Sequence, residues 1–225
     1  MAALDTLLGC VPVSDVMRAE LRARLQEPSR SYHNARHVTL LWTRHLRYGA
    51  GLVVTTEPWH RLIACAIAFH DAIHDPRRSD NEAASAALWR HARPALGPDE
   101  VEWVAETIAA TAGHLVAVPT PGMPEAAWSA RLWMLDLDLT PLAEHPAEFA
   151  ANTRRLRHEA AHLSDTEWDA ARLDFLRRIA AAPRLFRSDA LATAFERRAR
   201  NNIARQLVAT QWSLSAAGPL DTAGR

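Results

Sequence analysis

Eight consecutive residues, Leu62-Ile63-Ala64-Cys65-Ala66-Ile67-Ala68-Phe69, carry no charged side chain, and the next two are His70 and Asp71. A run that is apolar on nearly every side reads as a buried helix. The doublet that ends it sits in a costly place. Burying a carboxylate is unfavourable unless it is paired or bound to a metal. Asp71 also falls near a helix C-terminus, where the dipole favours a cation over an anion. A bound cation resolves both difficulties.

The chain has 225 residues. That is enough for one domain with a sizeable core, expected over residues 1–212, with 213–225 as a mobile tail. The 26 basic and 26 acidic residues cancel. This balance gives no electrostatic case for a nucleic-acid polymer or a membrane surface as partner. Every basic residue is Arg, so a phosphate clamp must use guanidinium groups. Cys10 and Cys65 are the only cysteines and form no CxxC. Both read as reduced thiols of a cytoplasmic protein. Met1 to Asp15 shows no secretory signal, and no apolar stretch is long enough to span a bilayer.

Proline, glycine and capping residues divide the chain into helices, and the expected fold is a single all-α bundle. Ser14 caps a first helix that stops before Pro28. Asn34 caps a second, which carries His37, Leu41 and His45, with Gly51 after it. Thr56 and Pro58 start the buried helix. Ser79 with Glu82 reads as a capping box for the next. Gly97-Pro98-Asp99 opens a fifth. After the proline-rich segment Val116–Glu125, a helix carries Trp128, Leu132 and Leu135, and another runs from about Pro146 to Leu163. Ser164 with Glu167 is a second capping box, and a last long helix begins near Ser188. Leu135-Asp136-Leu137-Asp138-Leu139 alternates as a strand would. Its neighbours are helical, so it is taken as helix, where the two carboxylates fall on opposite flanks of one stripe. The eight tryptophans are read as core and groove packing, and His45, His60, His91 and His145 as surface or helix-end residues.

An ordered series of motifs runs from Tyr32 to Leu207. It comprises Tyr32-His33-Asn34-x-x-His37, then His70-Asp71 with Asp75-Pro76 and Asn81-Glu82-x-x-Ser85. Thr111-x-x-His114 and Leu135-Asp136-x-Asp138-Leu139 follow, then Arg157-x-Glu159 and Glu196-x-x-Ala199-Arg200-x-Asn202. The series resembles the HD superfamily, and within it the small bacterial proteins described as predicted metal-dependent HD phosphohydrolases. The resemblance implies an all-helical HD fold with His37, His70, Asp71 and Asp138 as metal ligands. Asp138 is preferred because Asp138-Leu139-Thr140 matches the ligand context of the phosphodiesterase branch; Asp136 remains open. The chain departs from the pattern at His74 and Ala160, where the family tends to have Tyr, and at Ala143, where Gly is usual. Those changes bear on the substrate pocket.

Two imidazoles and two carboxylates suit a divalent metal: Mn, Fe, Co, Ni, Zn or Mg. Such an ion lowers the pKa of bound water and takes up phosphoryl charge. The expected function is therefore metal-dependent hydrolysis of a small phosphorylated substrate, a phosphomonoester or phosphodiester, with nucleotides among the candidates. Asp71, as a bridge to a second ion, His114 and Arg157 are the expected catalytic residues. Arg36 and Arg200 join Arg157 as phosphate candidates. His33, Asn34, His74, Asn81, Asp136, Glu159 and Asn202 are candidates for positioning substrate or ligands, with capping as the plainer role of the asparagines. The Val116–Glu125 loop is expected to border the cleft as a lid. Two rivals exist. One is an HD-fold protein that binds metal or nucleotide without turnover. The other is a zinc peptidase using His158-Glu159-Ala160-Ala161-His162, a literal HExxH. Its helix has little room before Ser164, which weighs against it.

Overall fold

A computed structural model describes residues 2–216; of the expected tail, residues 217–225 lie outside the described part. Among the described residues the chain forms ten α-helices and no strand, as expected of an all-α fold. They are α1 (Ala2–Gly9), α2 (Asp15–Leu25), α3 (Ala35–Tyr48), α4 (Trp59–Phe69), α5 (Asn81–His91), α6 (Pro98–Ala110), α7 (Glu125–Leu139), α8 (Pro146–Glu159), α9 (Asp165–Ala181) and α10 (Asp189–Ala216). The last helix continues through Ser213, past the expected boundary of the tail.

The helix starts follow local chemistry. Ser14 Oγ accepts the Met17 amide and Asn34 Oδ1 accepts the Arg36 amide, each serving one of the orphan donors of a first turn. Ser164 and Glu167 form the reciprocal capping box. One expected start is wrong. α5 begins at Asn81, and Ser79 with Glu82 makes no box. The Asn81 side chain instead bonds the Asp75 amide and carbonyl, pinning the segment that follows the His-Asp doublet. Ser85 does the same for Ile73. The first helix, α1, has no cap or proline to announce it in the sequence; Leu4, Leu7 and Leu8 bury its inner face.

α4 is the axis of the molecule. All of Leu62–Phe69 is buried, and α1, α3, α5, α6 and α7 pack around it. Each fully buried large side chain contributes about 1.5–3 kcal/mol, so this one helix supplies a major share of the core. Trp42, Trp89 and Trp133 fill the space between it and its neighbours. Trp212 departs from the packing role expected of tryptophan here; it is 75% exposed. His45 departs the other way. It is fully buried, accepts the Trp133 indole N–H at 3.0 Å through Nδ1, and meets His60 at 3.0 Å through Nε2. Burial holds its imidazole down to about 3, so it is a neutral core residue.

α3 stops at Tyr48, and Gly49 is its cap. A Cβ at Gly49 would lie 2.6 Å from the His45 carbonyl oxygen and 3.3 Å from the Trp133 ring. Gly9 at the end of α1 has nothing within 4 Å of such an atom. Gly49→Ala is therefore expected to lower stability by about 1–3 kcal/mol through overpacking. Gly9→Ala should leave it unchanged or slightly higher. Urea unfolding of the two variants measures the contrast.

Candidate metal centre

Three helices, α3, α4 and α7, bring the cluster together. His37 comes from the first turn of α3, His70 and Asp71 from the end of α4, and Asp138 from the last turn of α7. His37 Nε2 lies 3.2 Å from His70 Nε2, 3.5 Å from Asp71 Oδ2 and 3.0 Å from Asp138 Oδ1. His70 Nε2 lies 3.0 Å from Asp71 Oδ2 and 3.5 Å from Asp138 Oδ1. Ligands held about 2.1 Å from one ion lie about 3.0 Å apart at octahedral angles and about 3.4 Å apart at tetrahedral ones. The observed separations are the edges of such a polyhedron, and His37, His70 and Asp138 make a group able to hold a metal ion.

Hydrogen bonding sets the direction of the donors. His70 Nδ1 lies 3.0 Å from the Ile67 carbonyl, so it carries a proton and the ring's other nitrogen, Nε2, turns to the cluster. Asp71 Oδ2 is buried without a hydrogen-bond partner. His37 Nδ1 has none either, and its ring leans on Tyr32 at 5.2 Å. A buried carboxylate oxygen without a donor is unfavourable, and a cation between it and the Nε2 atoms of His37 and His70 would satisfy it. The electrostatics agree. Burial pushes the His70 imidazole down, but Asp71 and Asp138 outweigh it and hold it well above its ordinary value. Burial pushes the Asp71 and Asp138 carboxyls up, and the imidazoles, His70 foremost, hold both below the usual range. The donor set fits a divalent ion.

Arg30, absent from the sequence reading, fixes Asp71. It is buried, and its guanidinium donates to the Asp71 carbonyl at 2.5 Å and the Ala72 carbonyl at 3.0 Å while pairing with Glu27. It thereby serves the orphan carbonyls where the chain leaves α4.

The two carboxylates of α7 separate as helical geometry requires. Asp138 faces the cluster, with its second oxygen 2.7 Å from His114 Nε2. Asp136 points away. It accepts the Arg187 amide at 3.0 Å and the Ser188 amide and hydroxyl at 2.7 Å, and so caps α10. Burial raises its carboxyl despite those bonds. Asp136 is an anchor between helices rather than a ligand.

A second group lies beside the first. Glu159 Oε1 accepts the amides of Tyr32 and His33 at 2.7 and 3.0 Å, and Oε2 meets His33 Nδ1 at 2.6 Å and His74 Nε2 at 3.3 Å. The rings of His33 and His74 are 4.1 Å apart. The trio has metal-binding composition, but 2.6 Å is a hydrogen-bond distance, shorter than a ligand edge. It is a histidine–glutamate dyad with His74 stacked on it. Burial lowers the His33 imidazole, and Asp71, Glu159 and Asp138 together carry it above its ordinary value. Burial raises Glu159, and its bonds to His33 and His74 hold it below the carboxylate range.

Both groups face one cleft of about 350 Å³. Its floor holds His37, Asp71 and Asp138, with His33, His114 and Tyr32 beside them. Leu142, Phe149, Leu156, Trp168, Arg172 and Phe175 line the rest of it. Arg172 was missed in the sequence. The usable signal is the stripe Trp168, Arg172, Phe175, Leu176, Ile179 on α9, an apolar helix face with one arginine in it.

Several expected site residues lie elsewhere. Arg157 bonds the Ala160 and Leu163 carbonyls and Asp165, fastening the α8–α9 turn, and does not line the cleft. Arg200 ties α10 to Glu196 and to the carbonyls of Ala182 and Pro183. Asn202 donates to Leu142 and Glu144 carbonyls, and Asn34 caps α3 and bonds the Arg30 carbonyl. Arg36 pairs with Glu148 on the surface. These residues hold helices in place. The HExxH pattern does not assemble, because α8 ends at Glu159, both histidines are exposed, and Glu159 turns inward to His33. The proline-rich loop is not over the cleft. Thr120 to Pro124 line a separate depression with Trp59 and Trp103, and Arg187 ties the loop's root through the His114 and Ala117 carbonyls.

No family model, no curated protein and no solved structure matches the chain. No helix among the described residues is long and apolar enough to cross a membrane.

The carboxylates of α7 offer a direct test. Asp138→Ala should remove metal from the purified protein. Asp136→Ala should retain it while losing about 2–3 kcal/mol of stability, because three bonds to a buried carboxylate disappear. Elemental analysis and urea unfolding of the pair read the two effects separately.

Proposed function

We propose that this protein is a metal-dependent phosphohydrolase of the HD superfamily, acting on a small phosphorylated substrate. One observation carries the reading. His37, His70, Asp71 and Asp138 converge at ligand-edge distances, and His37, Asp71 and Asp138 line a cleft that His33 of the histidine–glutamate dyad also lines.

His37, His70, Asp71 and Asp138 would hold a divalent cation, with Mn, Fe, Co, Ni, Zn and Mg all compatible with the donors. Such an ion supplies neutralisation of phosphoryl charge and acidification of water. The chain's own residues supply the rest. Glu159 holds His33 by Nδ1, which leaves Nε2 for the cleft. A cationic His33 there is placed to give a proton to the departing oxygen. Glu159 favours that cationic form and fixes the ring's orientation, and its two backbone bonds keep the carboxylate from turning away. His114 bonds Asp138 Oδ2, so it orients the ligand carboxylate and lines the cleft at the same time. The Tyr32 hydroxyl stays protonated; burial, with Asp138 and Asp71, pushes it far up, so it is a donor to an anionic ligand. The apolar wall excludes water and fits a substrate with an organic moiety beyond its phosphate.

The decisive experiment is a phosphatase and phosphodiesterase panel on protein loaded in turn with each metal. The reading expects turnover of at least one phosphoester that is abolished by chelation and restored by metal. Metal binding without any turnover would favour a binding protein with the same fold. The dyad adds a pH signature. Removing the Glu159 charge lowers the His33 pKa, so the acid form is lost at lower pH. Glu159→Gln should move the alkaline limb of the rate profile to lower pH. An unmoved limb would remove His33 from the proton-donor role.

A further inference from the structure

The cleft contains a cation with nothing to bind. Arg172 is 8% exposed, its Nε is buried without a hydrogen-bond partner, and among the described residues it forms no ion pair. Its guanidinium carbon lies 6.0 Å from the Phe149 ring centre and 5.3 Å from that of Phe175. Those faces steady the group but leave its in-plane N–H donors unused.

The contrast with the other buried arginines is sharp. Arg30 is occupied by Glu27 and two carbonyls, and Arg131 by Glu106 and Thr107. Both are structural, and neither lines the cleft. Arg172 does line it, together with His37, Asp71 and Asp138. A buried, unpaired guanidinium costs free energy in the free protein. An anion entering the cleft recovers that cost, and a flat two-oxygen anion fits the fork best. A neutral carbonyl would offer a dipole where a full charge is called for.

We propose that Arg172 anchors a second anionic group of the substrate, a carboxylate or a second phosphate, while the first phosphoryl group sits at the metal cluster. The inference rests on the phosphohydrolase reading and narrows its substrate class to compact phosphoesters bearing two anions.

The test uses metal-loaded full-length protein and non-hydrolysable probes in calorimetry. Methylphosphonate carries one anionic group. The α,ω-diphosphonates with one to three methylenes, and phosphonoacetate with 3-phosphonopropionate, carry two. At least one two-anion probe should bind about 10-fold or more tightly than methylphosphonate, the size of one charged hydrogen-bonded contact. Whether diphosphonates or phosphonocarboxylates gain tells which anion the site takes. In Arg172→Met, which keeps length and apolar packing between the two rings, that gain should vanish while metal content and methylphosphonate affinity hold. Arg172→Lys should keep part of it. Absence of a gain in the wild type, or its survival in Arg172→Met, overturns the proposal. If that variant fails to fold, phenylglyoxal labelling of the wild type, mapped by mass spectrometry, takes its place. The best two-anion probe should protect Arg172 and methylphosphonate should not; equal labelling with both overturns it. Failure of the underlying reading looks different: methylphosphonate then binds no better with metal than without.

Discussion

The hydrogen bond from His70 Nδ1 to the Ile67 carbonyl sets the state of the whole site. With Nδ1 committed there, His70 turns Nε2 to His37 Nε2 and Asp71 Oδ2, at 3.2 and 3.0 Å. Two imidazoles and two carboxylates meet there, at the inner side of the cleft. Either a proton or a metal cation must sit among them. A proton on one imidazole serves one or two contacts. A divalent ion would serve several at once, with His37, His70 and Asp138 grouped closely enough to hold it.

The architecture is arranged around that requirement. α4 is buried from Leu62 to Phe69, so its end delivers His70 and Asp71 to the interior and not to the surface. Arg30 closes the carbonyls left open there, and Asn81 and Ser85 hold the segment that follows. α7 contributes through both flanks: Asp138 inward to the cluster, Asp136 outward to the start of α10. Function and packing thus share one short stretch of helix. The cleft thus combines a cluster able to hold a cation with an aromatic lining that carries Arg172.

Local interactions were legible in the sequence, and direction was not. Ser14, Asn34 and Ser164 announce their helices because a cap acts within three residues. Ser79 and Glu82 have the same spacing and mislead, because Asn81 is engaged with Asp75 and the chain enters the helix later. The four cluster residues follow from motif order, and helical periodicity already says that Asp136 and Asp138 cannot share a face. Which of them turns inward depends on what packs against α7, and that is tertiary. Arg157 shows the limit: its place in a motif says nothing about where its side chain goes, and it fastens a turn. His45 reads as a surface residue until Trp133 and His60 are found around it. Arg172 is the hardest case, since its significance lies in having no partner, a property only the folded chain possesses.

The central claim is that the four side chains bind one metal ion together. Anomalous scattering from crystals grown with Mn, Co or Zn tests it most directly. The account predicts a peak on the cleft floor within about 2.0–2.5 Å of His37 Nε2, His70 Nε2 and oxygens of Asp71 and Asp138. A metal-saturated crystal with no peak there, or with its peak at His33, His74 and Glu159 instead, would contradict it.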